Sequence, residues 1–161
     1  MANSQDLSKL KDLRDALNKG DEKRLKAQRD AGKLTARERI LKIADVGSFV
    51  ELFAFVSEQE EGAGVVTGYA TVQQRPVYLF AQDFTVHGGA IGKLQSLKIN
   101  KILDMALKTG APVLMLCDSA GIRLDEGAEA MNAYAEIYRG MARLSGVCPM
   151  ISLILGPCIG G

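Results

Sequence analysis

Three short glycine-rich stretches are the parts of this sequence best suited to chemistry. They are HGGAIG at residues 87–92, DSAGIRLDEG at 118–127 and GPCIGG at 156–161. Glycine lets a backbone approach a ligand closely, so that main-chain N–H groups can point at it. Two such N–H groups from different loops can stabilise the negative charge that develops on a carbonyl oxygen. The pattern therefore predicts an oxyanion hole built from backbone amides.

Apolar patterns predict the elements that position these loops. The runs PVLMLC and MISLIL are continuous and apolar, as expected of strands buried on both faces. A helix from about Asp125 to Leu144 separates them, and a second helix, capped at Gly110, follows HGGAIG. A strand–helix–strand unit has parallel strands and a right-handed crossover. The loops that begin at Asp118 and Gly156 should therefore leave the same edge of the sheet, where open α/β sheets bind ligands.

The first 33 residues differ in composition from the rest. They are rich in charged residues and carry leucines at helical spacing, which predicts a helical extension, residues 1–33, interrupted at Gly20. Residues 34–161 form the second predicted unit, and it opens with a capping box between Thr35 and Glu38. Farther along, GVVTGYATV and PVYLFAQDF predict a hairpin that turns at QQR.

Composition excludes several classes of function. The chain has 161 residues, enough for one domain with a core, and its net charge of +1 gives no electrostatic case for nucleic acid or an anionic membrane. No apolar run is long enough to span a bilayer, and the charged N-terminus lacks the core of a signal peptide, so we expect a cytoplasmic protein. Cys117, Cys148 and Cys158 lack metal-ligand spacing; we expect reduced core cysteines and no metal site.

Side chains near the loops allow further interpretations. Ser119 could be a nucleophile, with the single histidine as base, but DSAGI lacks the G-x-S-x-G pattern and a turn or cap hydroxyl is favoured. Asp118 could be a catalytic carboxylate, although capping or pairing with Arg123 is favoured. Arg37 and Arg39 could reach phosphates or be solvated helix residues, and both interpretations stay open.

Several blocks, taken in order, resemble the carboxyltransferase subunits of biotin-dependent acyl-CoA carboxylases and decarboxylases. The blocks are GKLTARERI, GSFVEL, GVVTGYATVQQRPVYLFAQDFTVHGGAIG, DSAGIRLDEG and LSGVCPMISLILGPCIGG, within about residues 24–161. The resemblance implies an α/β, crotonase-like fold, a ββα superhelix. Such subunits have two crotonase-like halves, and residues 34–161 resemble most of the first, so we expect an incomplete domain.

The resemblance also implies which residues form the site. The thioester oxygen of an acyl-CoA would be held by backbone amides around Gly121 and Ile122 and by those of Gly160 and Gly161. The residues implied to wall the coenzyme A site are Gly88, Gly89, Ala90 and Ala120. The family's usual loop is D-S-G-G-A-R, whereas this chain has D-S-A-G-I-R, which leaves the acyl group open.

The implied reaction is carboxyl transfer between carboxybiotin and the α-carbon of an acyl-CoA such as propionyl-CoA or acetyl-CoA. The biotin would come from a separate carrier protein. Biotin carboxylase or decarboxylase subunits and further copies of the chain, in a hexamer, would be its other partners. A sodium-pumping decarboxylase runs the same half-reaction in reverse and stays an alternative.

Two alternatives from other classes also stay open. One is a non-catalytic module for coenzyme A binding or assembly, and the other is a crotonase-like hydrolase that uses Ser119. Because the second half of such subunits is missing from this sequence, and the chain would end inside its own site at Gly161, we expect no carboxyl transfer by the chain alone.

Overall fold

The structure is a computed structural model, and it describes residues 4–57 and 62–159. The helices are α1 (Ser4–Lys19), α2 (Glu22–Asp30), α3 (Ala36–Ile43), α4 (Lys93–Thr109) and α5 (Ala128–Leu144). The strands are β1 (Val50–Leu52), β2 (Val65–Val72), β3 (Arg75–Gln82), β4 (Val113–Ser119) and β5 (Met150–Cys158). Short 3₁₀ helices lie at His87–Gly89 and Leu124–Glu126.

The five strands form one sheet in the order β1-β2-β3-β4-β5. The first three are antiparallel neighbours, whereas β3, β4 and β5 are parallel, which confirms the predicted strand–helix–strand unit. The hairpin is also confirmed, and its turn places Gln73 and Gln74 at φ values of 50° and 64°. Positive φ at two successive residues is strained for glutamine. The carboxylate of Asp45 supports this turn, because it accepts hydrogen bonds from both N–H groups, at 3.0 and 2.8 Å.

Helices cover both faces of the sheet, and β4 shows why. Along this strand Val113 and Met115 pack into the core shared with α4 and α5, while Leu114 and Leu116 pack with α3. A strand buried on both faces has no polar face to present, which explains its unbroken apolar run. The prediction for PVLMLC is therefore confirmed.

The prediction for the last strand was wrong in two respects. β5 continues through Cys158, so Gly156 lies within the strand and does not begin a loop. Its side chains are also largely exposed, with Ile151 at 46% and Ile154 at 59%. The reason is position, because among the described residues β5 pairs only with β4 and forms the edge of the sheet.

Three polar side chains on the buried face of α4 fix this helix to its neighbours. Gln95 donates from Nε2 to the Ala63 carbonyl at 2.6 Å, and Lys98 donates from Nζ to the Val65 carbonyl at 2.7 Å. Ser96 donates to the carbonyl of Ala133, on α5, at 2.8 Å. Buried polar groups need such partners. These bonds set the position of α4, and with it the turn that precedes the helix.

The N-terminal helices and the capping box agree with the sequence. α1 and α2 are separated at Gly20, and the carboxylate of Asp21 accepts the Arg24 N–H at 2.9 Å, which caps α2. The Thr35 N–H donates to a Glu38 carboxylate oxygen at 2.8 Å, and the Glu38 N–H donates to the Thr35 hydroxyl at 3.3 Å. In the part of the chain that the structure describes, no helix is both long and apolar enough to cross a membrane.

Candidate functional site

The glycine-rich turn before α4 and the loop after β4 are joined by three backbone hydrogen bonds. The Ala120 N–H donates to the Gly88 carbonyl at 2.8 Å. The Ile91 N–H donates to the Gly121 carbonyl at 2.8 Å, and the Arg123 N–H returns to the Ile91 carbonyl at 2.9 Å. Two loops that are far apart in sequence therefore form one surface, at the carboxyl ends of β3 and β4.

Glycines make this close approach possible. Gly89 has a φ of 63°, and a Cβ there would lie 2.3 Å from the carbonyl oxygen of Asp118. Gly88 also has a φ of 63°, and its Cβ would lie 3.1 Å from the Cβ of Ala120. Only glycine adopts this conformation without strain and leaves room for the opposite backbone. Gly88 and Gly89, two of the residues predicted to wall the coenzyme A site, thus lie against the loop that holds Ala120. Ala90 lies in the same turn, where its N–H donates to the His87 carbonyl at 3.2 Å.

The end of β5 reaches the same loop. The Ile159 N–H donates to the Ser119 carbonyl at 3.3 Å. Gly121 has a φ of 107°, and a Cβ on it would lie 2.9 Å from the Ile159 carbonyl oxygen. The end of β5 and the loop after Asp118 thus meet, as the parallel topology predicted, and the turn at 87–92, for which topology made no prediction, joins them. Gly160 and Gly161, the second predicted pair of amides, follow directly and lie outside the described residues.

Within the loop, the two predicted amides differ in what they contact. The Gly121 N–H donates to the hydroxyl oxygen of Ser119 at 3.0 Å. In return, the Ser119 hydroxyl donates to the Gly121 carbonyl oxygen at 3.4 Å. Ser119 is therefore a buried turn hydroxyl, the interpretation that the sequence favoured. The Ile122 N–H donates to no acceptor among the described residues, and Ile122 is half-buried. Of the two predicted amides, that of Ile122 is therefore the one without an acceptor among the described residues.

Asp118, directly before this loop, carries a buried carboxylate with two cationic partners. Its side chain is fully buried, and the Arg39 Nη2–H donates to Oδ2 at 2.6 Å. Lys33 Nζ lies 3.6 Å from Oδ1. The predicted pairing with Arg123 was wrong, because Arg123 instead donates from Nε to Asp125 at 2.9 Å. That contact, as the largest cause, lowers the pKa of Asp125 to about 2.

Neither sequence interpretation of the two α3 arginines fits the structure. Arg39 is 5% exposed and pairs with Asp118, so it is neither solvated nor directed at a phosphate. Arg37 binds both carboxylate oxygens of Glu51, at 2.7 and 3.1 Å. A guanidinium fork satisfied by a carboxylate is not available to a ligand.

Two cations that sequence analysis missed lie beside the glycine-rich turn. Arg24 and Lys33 line a cavity of about 290 Å³ together with Phe84 and Thr85. Lys33 Nζ is 5.5 Å from the centre of the Phe84 ring, and Arg24 donates to the Thr85 carbonyl at 3.2 Å. No local pattern marks these residues, because α2 meets the end of β3 only through the tertiary fold. Their arrangement suits a ligand with an anionic group.

A second, mostly apolar cavity of about 360 Å³ lies between the sheet and α5, beside Ser119 and Ile159. Cys117 and Cys158 contribute thiols to its wall. Burial, followed by the nearby Cys158, raises the pKa of Cys117 to about 11, so its thiol stays protonated near neutral pH. Cys148 is buried as expected, whereas Cys158 is exposed, so the prediction of a core cysteine there was wrong. No three His, Cys, Asp or Glu side chains of residues 4–57 and 62–159 form a cluster that could hold a metal.

The parallel strands and their converging glycine loops define an α/β domain of the crotonase-like type. The chain belongs to the carboxyl transferase domain family, whose pattern matches residues 27–161. It is 45% identical to the propionyl-CoA carboxylase beta chain of Roseobacter denitrificans, an alignment that covers 96% of this chain and 32% of that protein. It is 47% identical to the methylmalonyl-CoA decarboxylase alpha subunit of Veillonella parvula, with coverages of 88% and 30%.

A solved structure shows the same fold. Transcarboxylase 12S, a hexamer with hydrolysed methylmalonyl-coenzyme A bound, superposes with a TM-score of 0.90 at 36% identity, over 98% of this chain and 33% of that one. The chain thus spans about a third of the length of the relatives it matches. The family and the crotonase-like α/β fold predicted from the sequence are confirmed. The roles of the site residues and the boundary between residues 33 and 34 stay predictions.

Proposed function

We propose that this chain provides the acyl-CoA-binding part of a biotin-dependent carboxyltransferase. The carrying observation is that the turn at Gly88 and the loop at Gly121 are joined at one sheet edge, which leaves the Ile122 N–H without an acceptor among the described residues. An N–H group placed there can donate to a thioester oxygen. Membership of the carboxyl transferase domain family and the acyl-CoA named for the matched transcarboxylase support this choice of ligand.

The proposed chemistry depends on amides more than on side chains. Loss of a proton from the acyl α-carbon, to the ureido nitrogen that biotin would present, would place negative charge on the thioester oxygen. The Ile122 N–H, together with the amides of Gly160 and Gly161, would stabilise that charge, and each well-placed donor of this kind contributes about 3 kcal/mol. Carboxybiotin on a separate carrier protein would supply the carboxyl group. In this scheme Gly121 supports the loop, because its own N–H is engaged by Ser119.

The phosphates of coenzyme A would lie at the cavity beside the turn. Arg24 and Lys33 are the cations there, and Phe84 offers an apolar face next to them. Arg24 and Lys33 each carry a positive charge that attracts a phosphate, while Arg24 also donates to the Thr85 carbonyl. Partner subunits that carry biotin, and assembly with further copies of the chain in a hexamer, complete the proposed enzyme.

The direction of carboxyl transfer is a separate question. The matched relatives include both a propionyl-CoA carboxylase and a methylmalonyl-CoA decarboxylase at nearly equal identity. Both directions pass through the same thioester enolate, so the same oxyanion hole serves either of them. A hydrolase that uses Ser119 is disfavoured, because its hydroxyl is bound to the backbone of Gly121.

Calorimetric titration of the 161-residue chain with acyl-CoA thioesters tests the proposal. We expect propionyl-, methylmalonyl-, acetyl- or glutaconyl-CoA to bind with a Kd on the order of 0.1 mM, near −5.5 kcal/mol, and tighter than free coenzyme A. We expect no turnover with free carboxybiotin, because the chain spans about a third of its relatives. Equal affinity for a thioester and for free coenzyme A would contradict a site built for the thioester oxygen.

A second titration tests the phosphate contact at Arg24. The substitution R24Q should weaken binding of coenzyme A about fivefold to tenfold, because a charge-assisted contact of roughly 1 kcal/mol is lost at a half-exposed site. Binding of an acyl-pantetheine, which has no nucleotide, should not change. R14Q is the matched control, because Arg14 is an exposed arginine on α1. An equal effect of R24Q on acyl-pantetheine would show that Arg24 does not face the phosphates.

A further inference from the structure

We propose that Arg39 and Lys33 are positioning residues for the loop after β4, and that they act through the buried carboxylate of Asp118. Neither residue is among the amides that hold the thioester in the proposed function, although Lys33 is one of the two cations proposed there for the phosphates. Their link to catalysis rests on that function, because the loop matters to chemistry only if it binds the acyl group. The positioning itself follows from contacts within this chain.

Burial and two neighbouring cations restrict the position of the Asp118 carboxylate. It is fully buried, and a buried charge is costly unless an opposite charge is near. Arg39 Nη2 lies 2.6 Å from Oδ2, and Lys33 Nζ lies 3.6 Å from Oδ1. Lys33 lies just before α3, and Arg39 lies within this helix. The position of α3 on the sheet therefore determines the position of this carboxylate.

The backbone of Asp118 contacts both walls of the site, so its position affects theirs. Its N–H donates to the side-chain oxygen of Gln82, at the end of β3, at 3.1 Å. The turn packs directly against the carbonyl oxygen of Asp118, since a Cβ added to Gly89 would lie only 2.3 Å from this oxygen. The next residues are Ser119, whose hydroxyl accepts the Gly121 N–H, and the loop itself. A displacement of Asp118 would therefore move both walls of the site.

The strand β5 is shaped around the same carboxylate. A Cβ on Gly156 would lie 2.0 Å from Asp118 Oδ1 and 2.7 Å from Lys33 Nζ, so no other residue fits there without displacing the pair. Arg39 also donates to the carbonyl of Leu155 at 3.4 Å. The segment that leads to Gly160 and Gly161 is thus held in register with the loop through one cluster of charges.

Stability alone does not account for this cluster. Apolar residues of similar volume often replace a buried ion pair without loss of stability. Here Arg39 Nη1 and Asp118 Oδ1 are buried without a hydrogen-bond partner among the described residues, so the pairing is incomplete. What the charges provide, and what an apolar pair lacks, is a fixed direction. This favours a role in orienting the loop.

Hydrogen exchange of the unliganded 161-residue chain tests the inference directly. In R39K and K33M we expect the amides of Ala120 and Gly121 to exchange at least about tenfold faster than in the unmodified chain, because local opening becomes easier. Amides in the hairpin of β2 and β3 should keep their rates. The affinity of the same variants for propionyl-pantetheine, which lacks the phosphates proposed to lie near Lys33, should fall about tenfold.

Two substitutions serve as matched controls. R37K changes the other arginine of α3, which binds Glu51 instead of Asp118. K26M changes an exposed lysine of α2 that pairs with Asp30. Neither should alter exchange in the loop. The proposal is overturned if R37K speeds exchange of the loop amides as much as R39K does, or if K26M speeds it as much as K33M does.

The remaining outcomes are also decisive. Equal acceleration at the loop and the hairpin would mean a merely structural role and would overturn the proposal. Faster exchange confined to the loop, in a chain that binds no acyl-CoA in any form, would support the positioning role and refute the proposed function. If R39K does not fold, K33M decides alone, because Lys33 is only partly buried.

Discussion

G89A should abolish detectable acyl-CoA binding and destabilise the chain by about 3–5 kcal/mol, the largest effect that we expect from one methyl group. Gly89 has a left-handed backbone, which is unfavourable for alanine. Its new Cβ would also lie 2.3 Å from the Asp118 carbonyl oxygen, a backbone atom that cannot rotate away. The turn would have to separate from the loop after β4, and the two walls of the site would part.

G110A is the control that isolates the clash. Gly110 ends α4 with a φ of 71°, close to the 63° of Gly89, but a Cβ there would meet nothing within 4 Å. We expect G110A to cost only about 1 kcal/mol and to leave binding unchanged. Urea denaturation and calorimetry with propionyl-CoA measure the two quantities. Similar losses in both variants would show that the backbone conformation matters and the close approach of the loops does not.

Several elements that form this site follow from local patterns and topology, so the sequence predicts them. Apolar runs mark the strands that lead to Gly121 and to Cys158, and parallel strands necessarily bring such strand ends to one edge. Topology made no prediction for the turn at Gly88. The capping box at Thr35 and the hairpin turn are equally local. Each of these features depends on residues that are close in the chain, so their spacing alone carries the signal.

The features that sequence analysis missed depend on long-range contacts. Arg39 and Asp118 are 79 residues apart, and nothing in the spacing of either residue shows that they meet. Arg123 was the more natural partner because it lies closer in sequence. The exposure of β5 was missed for a related reason, since the composition of MISLIL does not reveal how many neighbours cover the strand. Composition reports what a segment could bury, whereas burial depends on what packs against it.

Lys98 is the clearest case of a residue whose surroundings override its type. It lies on α4 at 2% exposure, and its Nζ donates to the Val65 carbonyl at 2.7 Å. Burial is the largest influence and lowers the pKa of Lys98 to about 8; Glu51 opposes this shift and Arg37 adds to it. The charged form is thus less favourable in the folded chain than in the unfolded chain, where the ordinary value is 10.5.

This difference predicts how stability depends on pH. Between pH 8 and 10.5 the unfolded chain binds more protons at Lys98 than the folded chain does, so the free energy of unfolding should rise with pH in that window. Below pH 8 both states are protonated and the penalty, about 3 kcal/mol, is fully present. From about pH 7.5 to about pH 9.5 we expect the contribution of Lys98 to stability to improve by about 2 kcal/mol.

K98M isolates this contribution from other groups that titrate at alkaline pH. Cys117, Cys148 and Tyr134 have pKa values raised by burial, so they act in the opposite direction, but they are present in both chains. The unfolding free energy of the unmodified chain, relative to that of K98M, should therefore increase as pH rises. K101M, which alters an exposed lysine of the same helix, is the matched control. A pH-independent difference for K98M would mean that the pKa of Lys98 is the same in the folded and the unfolded chain, and that α4 does not bury this side chain against β2.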